Sequence, residues 1–251
     1  MTTFVAMIDQ VLPKEYDYYT STGGFFMKRV LFHGSDNIVD DPQFGKGKAN
    51  NDYGLGFYCT EDPDLAREWA VKRERDGFIN KYTLDENDLK ILDLESPEFT
   101  SLNWIELLLS HRVFEPSTPL ALEAVAYLHK YFHTDIDDAD VIIGYRADDS
   151  YFSYAQDFIE GTISCGQLYE ALRLGRLGLQ YVLKSKRAFD GIKFEGSEPV
   201  SAQIWYPKRE TRDRNARREY YNMDVMRFIR NDLYMIQILD EEVKPGDLRI
   251  R

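Results

Sequence analysis

Apolar residues recur along this chain in two rhythms. Short runs bounded by Gly, Pro, Asn and Asp predict strands at 29–33, 54–60, 78–84, 89–94, 141–144, 179–183 and 191–194, with Asp85-Glu86-Asn87-Asp88 as the turn between the third and fourth. Apolar positions spaced three and four apart predict helices at 102–114, 120–132, 150–160 and 165–174. Asp62-Pro63 supplies a cap and a first-turn proline for a further helix reaching about Asp76. Beyond Pro207 the pattern is mostly helical and charged as far as 233–239, a run that suits a strand or a helix continuation. Residues 40–53 are rich in Gly, Lys, Asn and Asp and read as a loop placed to close over a ligand.

Strands and helices intermingle without steady β-α alternation, so the expected class is α+β. The expected organisation is an N-terminal extension over 1–27, a domain over 28–195, and a mostly helical extension over 196–251 packed on the same domain. With 251 residues, 43% of them hydrophobic, the chain can bury a core without disulfides or metals. A net charge of -12 argues against general binding to nucleic acid or membrane surfaces, which needs a basic face. Two cysteines, Cys59 and Cys165, form neither a disulfide framework nor a zinc motif, and Cys59 reads as buried packing. No apolar run nears the roughly 20 residues of a membrane span, and no export signal is visible. A cytoplasmic location is the expectation.

The chemistry concentrates in two segments, Leu31-Phe32-His33-Gly34-Ser35 and Gly54-Leu55-Gly56-Phe57-Tyr58-Cys59-Thr60. Each reads as a strand that sets a polar or aromatic side chain beside glycine, where a backbone can approach a flat ligand. Further landmarks are Asn51-Asp52-Tyr53, Ala66-Arg67-Glu68-Trp69-Ala70, Leu102-Asn103-Trp104-Ile105-Glu106-Leu107-Leu108, Arg146-Ala147-Asp148-Asp149 and Leu179-Gln180-Tyr181-Val182. Together, over roughly residues 29–195, they resemble an uncharacterised bacterial family of ADP-ribosyltransferase fold, of the diphtheria-toxin and poly(ADP-ribose) polymerase type.

The resemblance implies a split-sheet core with a helical insertion, NAD consumed as substrate, and no metal. By position, His33 matches the ribose-binding histidine and Tyr58 the nicotinamide-stacking tyrosine. Gln180 falls where the polymerases carry a catalytic glutamate. Glutamine can accept a ribose hydrogen bond but is no base, so chain building is not expected, whereas Gln180→Glu is expected to stay active. His33, Tyr58 and Gln180 are the catalytic candidates. Gly34, Ser35, Asn51 and Arg73 join His33 and Tyr58 as NAD-binding candidates, and Asp52, Asp148 and Asp149 are carboxylates in reserve.

The implied activity is mono-ADP-ribosyl transfer to a macromolecule, protein or nucleic acid, by an intracellular bacterial toxin or anti-phage effector with an antitoxin as partner. The alternatives are a catalytically inactive NAD or ADP-ribose binding module and a NAD glycohydrolase. His129 and His133, four apart, read as solvated helix residues rather than metal ligands. Residues 208–218 hold six Lys or Arg against two acids, read as a solvated helix with a target-binding face as the alternative.

Overall fold

A computed structural model describes residues 28–147, 149–174, 178–223 and 228–250. The extension expected over 1–27 lies outside them. In chain order the elements are β1 (Lys28–Ser35), β2 (Phe57–Cys59), α1 (Pro63–Ala70), β3 (Gly77–Asp85), β4 (Ile91–Asp93), α2 (Ser101–His111) and α3 (Pro119–Tyr131). There follow β5 (Val141–Tyr145), α4 (Asp149–Ile159), α5 (Cys165–Ala171), β6 (Leu179–Leu183), α6 (Lys186–Gly191), β7 (Ile192–Val200), α7 (Ala202–Asn222) and α8 (Met235–Asp240).

The strands form two sheets accompanied by helices, consistent with the α+β class. One is antiparallel in the order β1-β3-β7; the other runs β2-β6-β5-β4, with β4 parallel to β5. Among the described residues a single bridge, Phe32 to Thr60, joins them. Leu31, Leu84, Cys59, Val141, Ile143, Tyr181 and Leu183 close the space between the sheets. The other face of the second sheet buries Ile142 and Val182 against Trp104, Phe132 and Phe158 of the helical layer. Because both faces of β5 and β6 are covered, these strands are buried along most of their length rather than alternating, with Gln180 a buried polar residue among apolar ones. Both cysteines are buried, which pushes their thiols up, that of Cys165 to about 11.

Several boundaries differ from the sequence reading. The helix opened by Asp62 stops at Ala70 rather than near Asp76, because the charged residues after it form a tight turn bridged from Lys72 to Arg75, with Glu74 at φ 60°. That reversal delivers Gly77 against Ala70, where an added Cβ would lie 2.0 Å from the Ala70 carbonyl oxygen. Residues 54–56 form a turn with Gly54 at φ 70°, and only 57–59 are strand. β3 and β4 are not a hairpin, since each enters a different sheet. The boundary expected at 195 falls inside β7, and 233–239 becomes α8.

Glu106, fully buried on α2, accepts Nδ1–H bonds from His129 (2.9 Å) and His133 (3.2 Å), and Ser110 Oγ also donates to it at 2.9 Å. The two histidines are therefore part of a polar tie between α2 and the end of α3, not merely solvated. Among the described residues no group of three His, Cys, Asp or Glu has metal-binding geometry.

Candidate functional site

The site forms where the two sheets part. Phe32 exchanges both backbone bonds with Thr60, at 2.7 and 2.9 Å, and beyond it β1 and β2 diverge. Backbone groups of successive strand residues face opposite edges, so Gly34, two residues after Phe32, turns its N–H and C=O toward β2. Among the described residues no backbone partner meets them there. The gap is spanned instead by His33, whose Nδ1 lies 2.7 Å from the Tyr58 carbonyl oxygen and whose ring packs at 4.6 Å on Phe57.

A carbonyl can only accept, so Nδ1 carries the proton in this contact. Burial holds the His33 pKa below the usual histidine value. The neutral ring therefore keeps its lone pair on Nε2. Gly34 has a packing reason to be glycine as well: an added Cβ would lie 1.9 Å from the Ala66 carbonyl oxygen of α1.

His33, Gly34, Asn51, Asp52, Tyr58 and Gln180 all line one cleft of about 590 Å³. Tyr58 presents its ring, while its hydroxyl donates to the Gly54 carbonyl at 2.6 Å and accepts from Tyr53 N–H at 3.1 Å. The phenol thereby fixes the turn beneath the loop. Gln180, on β6 opposite Gly144, is buried and gives its Nε2 protons to Asp52 Oδ2 (2.9 Å) and the Tyr145 carbonyl (3.1 Å). Asp52 also takes Ala147 N–H on Oδ2 at 2.8 Å and the Arg112 guanidinium on Oδ1 at 2.6 and 2.8 Å.

The walls come from elsewhere in the chain. Residues of the 40–53 loop, including Lys46 and Lys48, cover one side, and Trp69 of α1 with Arg146 after β5 forms another. The Arg146 guanidinium sits 3.8 Å from the centre of the Trp69 ring, a close cation–π contact. Four cationic side chains, Lys46, Lys48, Arg112 and Arg146, thus face two carboxylates, Asp41 and Asp52, within a chain of charge -12. That balance suits an anionic ligand.

Two predicted residues are placed elsewhere. The Ser35 hydroxyl donates to Asn37 O and accepts from buried Asn80, anchoring the start of the loop outside the cleft lining. Arg73 is exposed in the charged turn after α1. Asp148 lies outside the described residues, and Asp149 opens α4. Sequence reasoning missed Arg112, Arg146, Lys46, Lys48 and the role of Trp69. Arg146 and Trp69 lie within two of the sequence landmarks, but Arg112 follows α2 and carries no local signal. A larger groove of about 720 Å³ between α1 and α7 contains none of the predicted site residues.

The family profile of proteins of unknown function designated DUF3990 matches residues 29–194. The chain belongs to that family. The matched region spans β1 through the start of β7 and contains every residue lining the cleft, whereas α7 and α8 lie beyond it. No curated protein and no solved structure matches the chain.

Proposed function

We propose that this chain is a mono-ADP-ribosyltransferase that cleaves NAD at the nicotinamide–ribose bond and transfers ADP-ribose to a macromolecular acceptor. The observation that carries the reading is the conjunction at the parting of the sheets: the free Gly34 backbone edge, the neutral His33 ring and the Tyr58 face border one cleft. A carboxamide carries one acceptor and two donor protons, which complements a backbone N–H and C=O side by side. His33 Nε2 accepts from a ribose hydroxyl, and the Tyr58 ring stacks on the nicotinamide. An ADP-ribosyltransferase-like split sheet, with the nucleotide gripped in the split, is the corresponding fold.

When the carbon–nitrogen bond breaks, nicotinamide leaves with the bonding pair and positive charge gathers on the ribose, as at a glycosidic centre. Gln180 Oε1, the amide atom not used by Asp52 or Tyr145, accepts from the nicotinamide ribose and holds it for attack. The cations of the loop and of Arg146 suit the pyrophosphate.

Incubation with adenine-labelled NAD and a cell lysate, followed by protease or nuclease, tests the proposal. Label retained on a macromolecule supports transfer, and the nuclease arm tells protein from nucleic acid. Free labelled ADP-ribose with no conjugate points to hydrolysis. A second reading, a NAD or ADP-ribose binding module, draws on the uncharged Gln180 where relatives carry glutamate. Calorimetric binding of NAD without turnover would favour it.

A further inference from the structure

We infer that Asp52 is the carboxylate around which this cleft is organised, and that it positions Gln180 so that glutamine, not glutamate, is the functional residue on β6. Gln180 meets two acceptors and no donor at its amide nitrogen: Asp52 Oδ2 at 2.9 Å and the Tyr145 carbonyl at 3.1 Å. Only an NH2 group satisfies both, so the orientation of the amide is fixed and Oε1 is the atom left to the cleft.

The surroundings are built to keep that arrangement. Asp52 cannot turn away, because Arg112 holds its Oδ1 and Ala147 N–H shares its Oδ2. The Tyr145 carbonyl is held by Tyr53 Oη at 2.8 Å and Trp104 Nε1 at 3.1 Å as well as by Gln180. Gly144 is required beside it, since a Cβ there would lie 2.2 Å from the Tyr53 hydroxyl. Residues from the loop, α2, β5 and β6 thus converge on one amide.

A glutamate in this position would set a second carboxylate against Asp52 and a carbonyl. Two carboxylates at hydrogen-bond distance cannot both ionise without a large cost, so the introduced group must keep a proton to fit. The expectation from the resemblance, that Gln180→Glu stays active, is therefore replaced by a pH-dependent one. Protonated, the introduced acid donates one bond as the amide did; ionised, it repels Asp52 and the site is lost.

The consequence for activity rests on the NAD reading, whereas the consequence for stability does not. The test compares full-length wild type, Gln180→Glu, Asp52→Asn, the double variant Asp52→Asn/Gln180→Glu, and Gln180→Met, which removes the bonds without adding charge. Melting temperature and NAD cleavage are measured from pH 5 to 9. The melting deficit of Gln180→Glu should grow as pH rises above about 4.3, because the unfolded chain ionises there while the folded state resists. Its cleavage rate should fall by about tenfold or more across the range relative to wild type. The double variant, whose cluster carries a single carboxylate again, should recover at least about fivefold of that loss near pH 8. Gln180→Met should fold and lose activity at every pH alike.

A Gln180→Glu protein that melts and cleaves as wild type does at every pH would overturn the inference, as would a double variant no better than the sum of its singles. If wild type neither binds nor cleaves NAD, the functional reading fails. The pH-dependent melting deficit and its rescue would then still decide whether Asp52 positions Gln180.

Discussion

His33 and Tyr58 are tied by a 2.7 Å bond from the imidazole Nδ1–H to the Tyr58 backbone carbonyl, a side-chain contact that spans the sheets just beyond the Phe32–Thr60 bridge. It does two things at once. It braces the two strands where they part, and it selects the tautomer that leaves Nε2 as an acceptor.

Burial lowers the His33 pKa, so protonation is deferred to acid pH. The unfolded chain takes up this proton near 6.5 and the folded one only at a lower pH; the stability contribution is therefore complete above 6.5 and is lost as pH falls from there toward the folded value. Nitrogen NMR of the imidazoles, with the His33 signal assigned by its loss in His33→Gln, should show that ring in the Nδ1–H form with a midpoint below 6.5. NAD affinity should be level through neutrality and fall only in acid, and a midpoint at or above 6.5 would contradict the assignment.

Tyr58 separates into ring and hydroxyl. Tyr58→Phe keeps the stacking face but removes the bonds to Gly54 and Tyr53, and should cost about 1–2 kcal/mol of stability. Tyr58→Ala loses the ring too and should lower NAD cleavage by about 10² or more. Thermal melting and kcat/KM measured on both variants check this; equal kinetics for the two would remove the stacking role.

Gly34→Ala tests packing against function. With a Cβ 1.9 Å from the Ala66 carbonyl oxygen, the variant must shift α1, and a loss of about 1–3 kcal/mol or more is expected. A chemical denaturation midpoint unchanged from wild type would show that the contact relaxes freely.

The cationic wall should be felt as salt dependence. Lys46→Gln/Lys48→Gln should weaken NAD binding and flatten its dependence on ionic strength while leaving nicotinamide binding unchanged, because the uncharged fragment lacks the pyrophosphate. Titration calorimetry at two salt concentrations measures both. An equal loss for nicotinamide would mean the loop shapes the pocket rather than supplying charge.

The basic stretch of α7 is not uniform. Arg212 lies against buried Glu68 at 2.7 Å, so Arg212→Ala leaves a carboxylate without its cation and should cost about 1–3 kcal/mol. Arg217 and Arg218 bond within their own helix to Asp213 and Asn215, and alanine there should change the melting temperature little. A test of acceptor binding by this face therefore uses Arg214, Arg217 and Arg218 and leaves Arg212 in place.

Much of the element order was readable because it depends on local rules. Asp62-Pro63 caps α1, with Asp62 Oδ1 accepting from Asp64 and Leu65 N–H, and the apolar runs at 141–144 and 179–183 are β5 and β6. What the pattern could not give was partnership. β3 and β4 look like a hairpin in sequence, but their separation into two sheets depends on which faces Leu84 and Leu92 bury, and that is set by distant residues.

The same division runs through the site. The strands that carry His33, Tyr58 and Gln180 follow from local pattern, since each residue lies in a short apolar run bounded by turn residues. Their chemistry depends on contacts made far along the chain. The His33 tautomer depends on a carbonyl 25 residues away, and the orientation of the Gln180 amide on a carboxylate 128 residues away. Arg112 entered the site from the end of a helix with no motif of its own. Hydrogen bonds at such separations are set by how whole elements pack, and a linear pattern records only which residues are near in the chain.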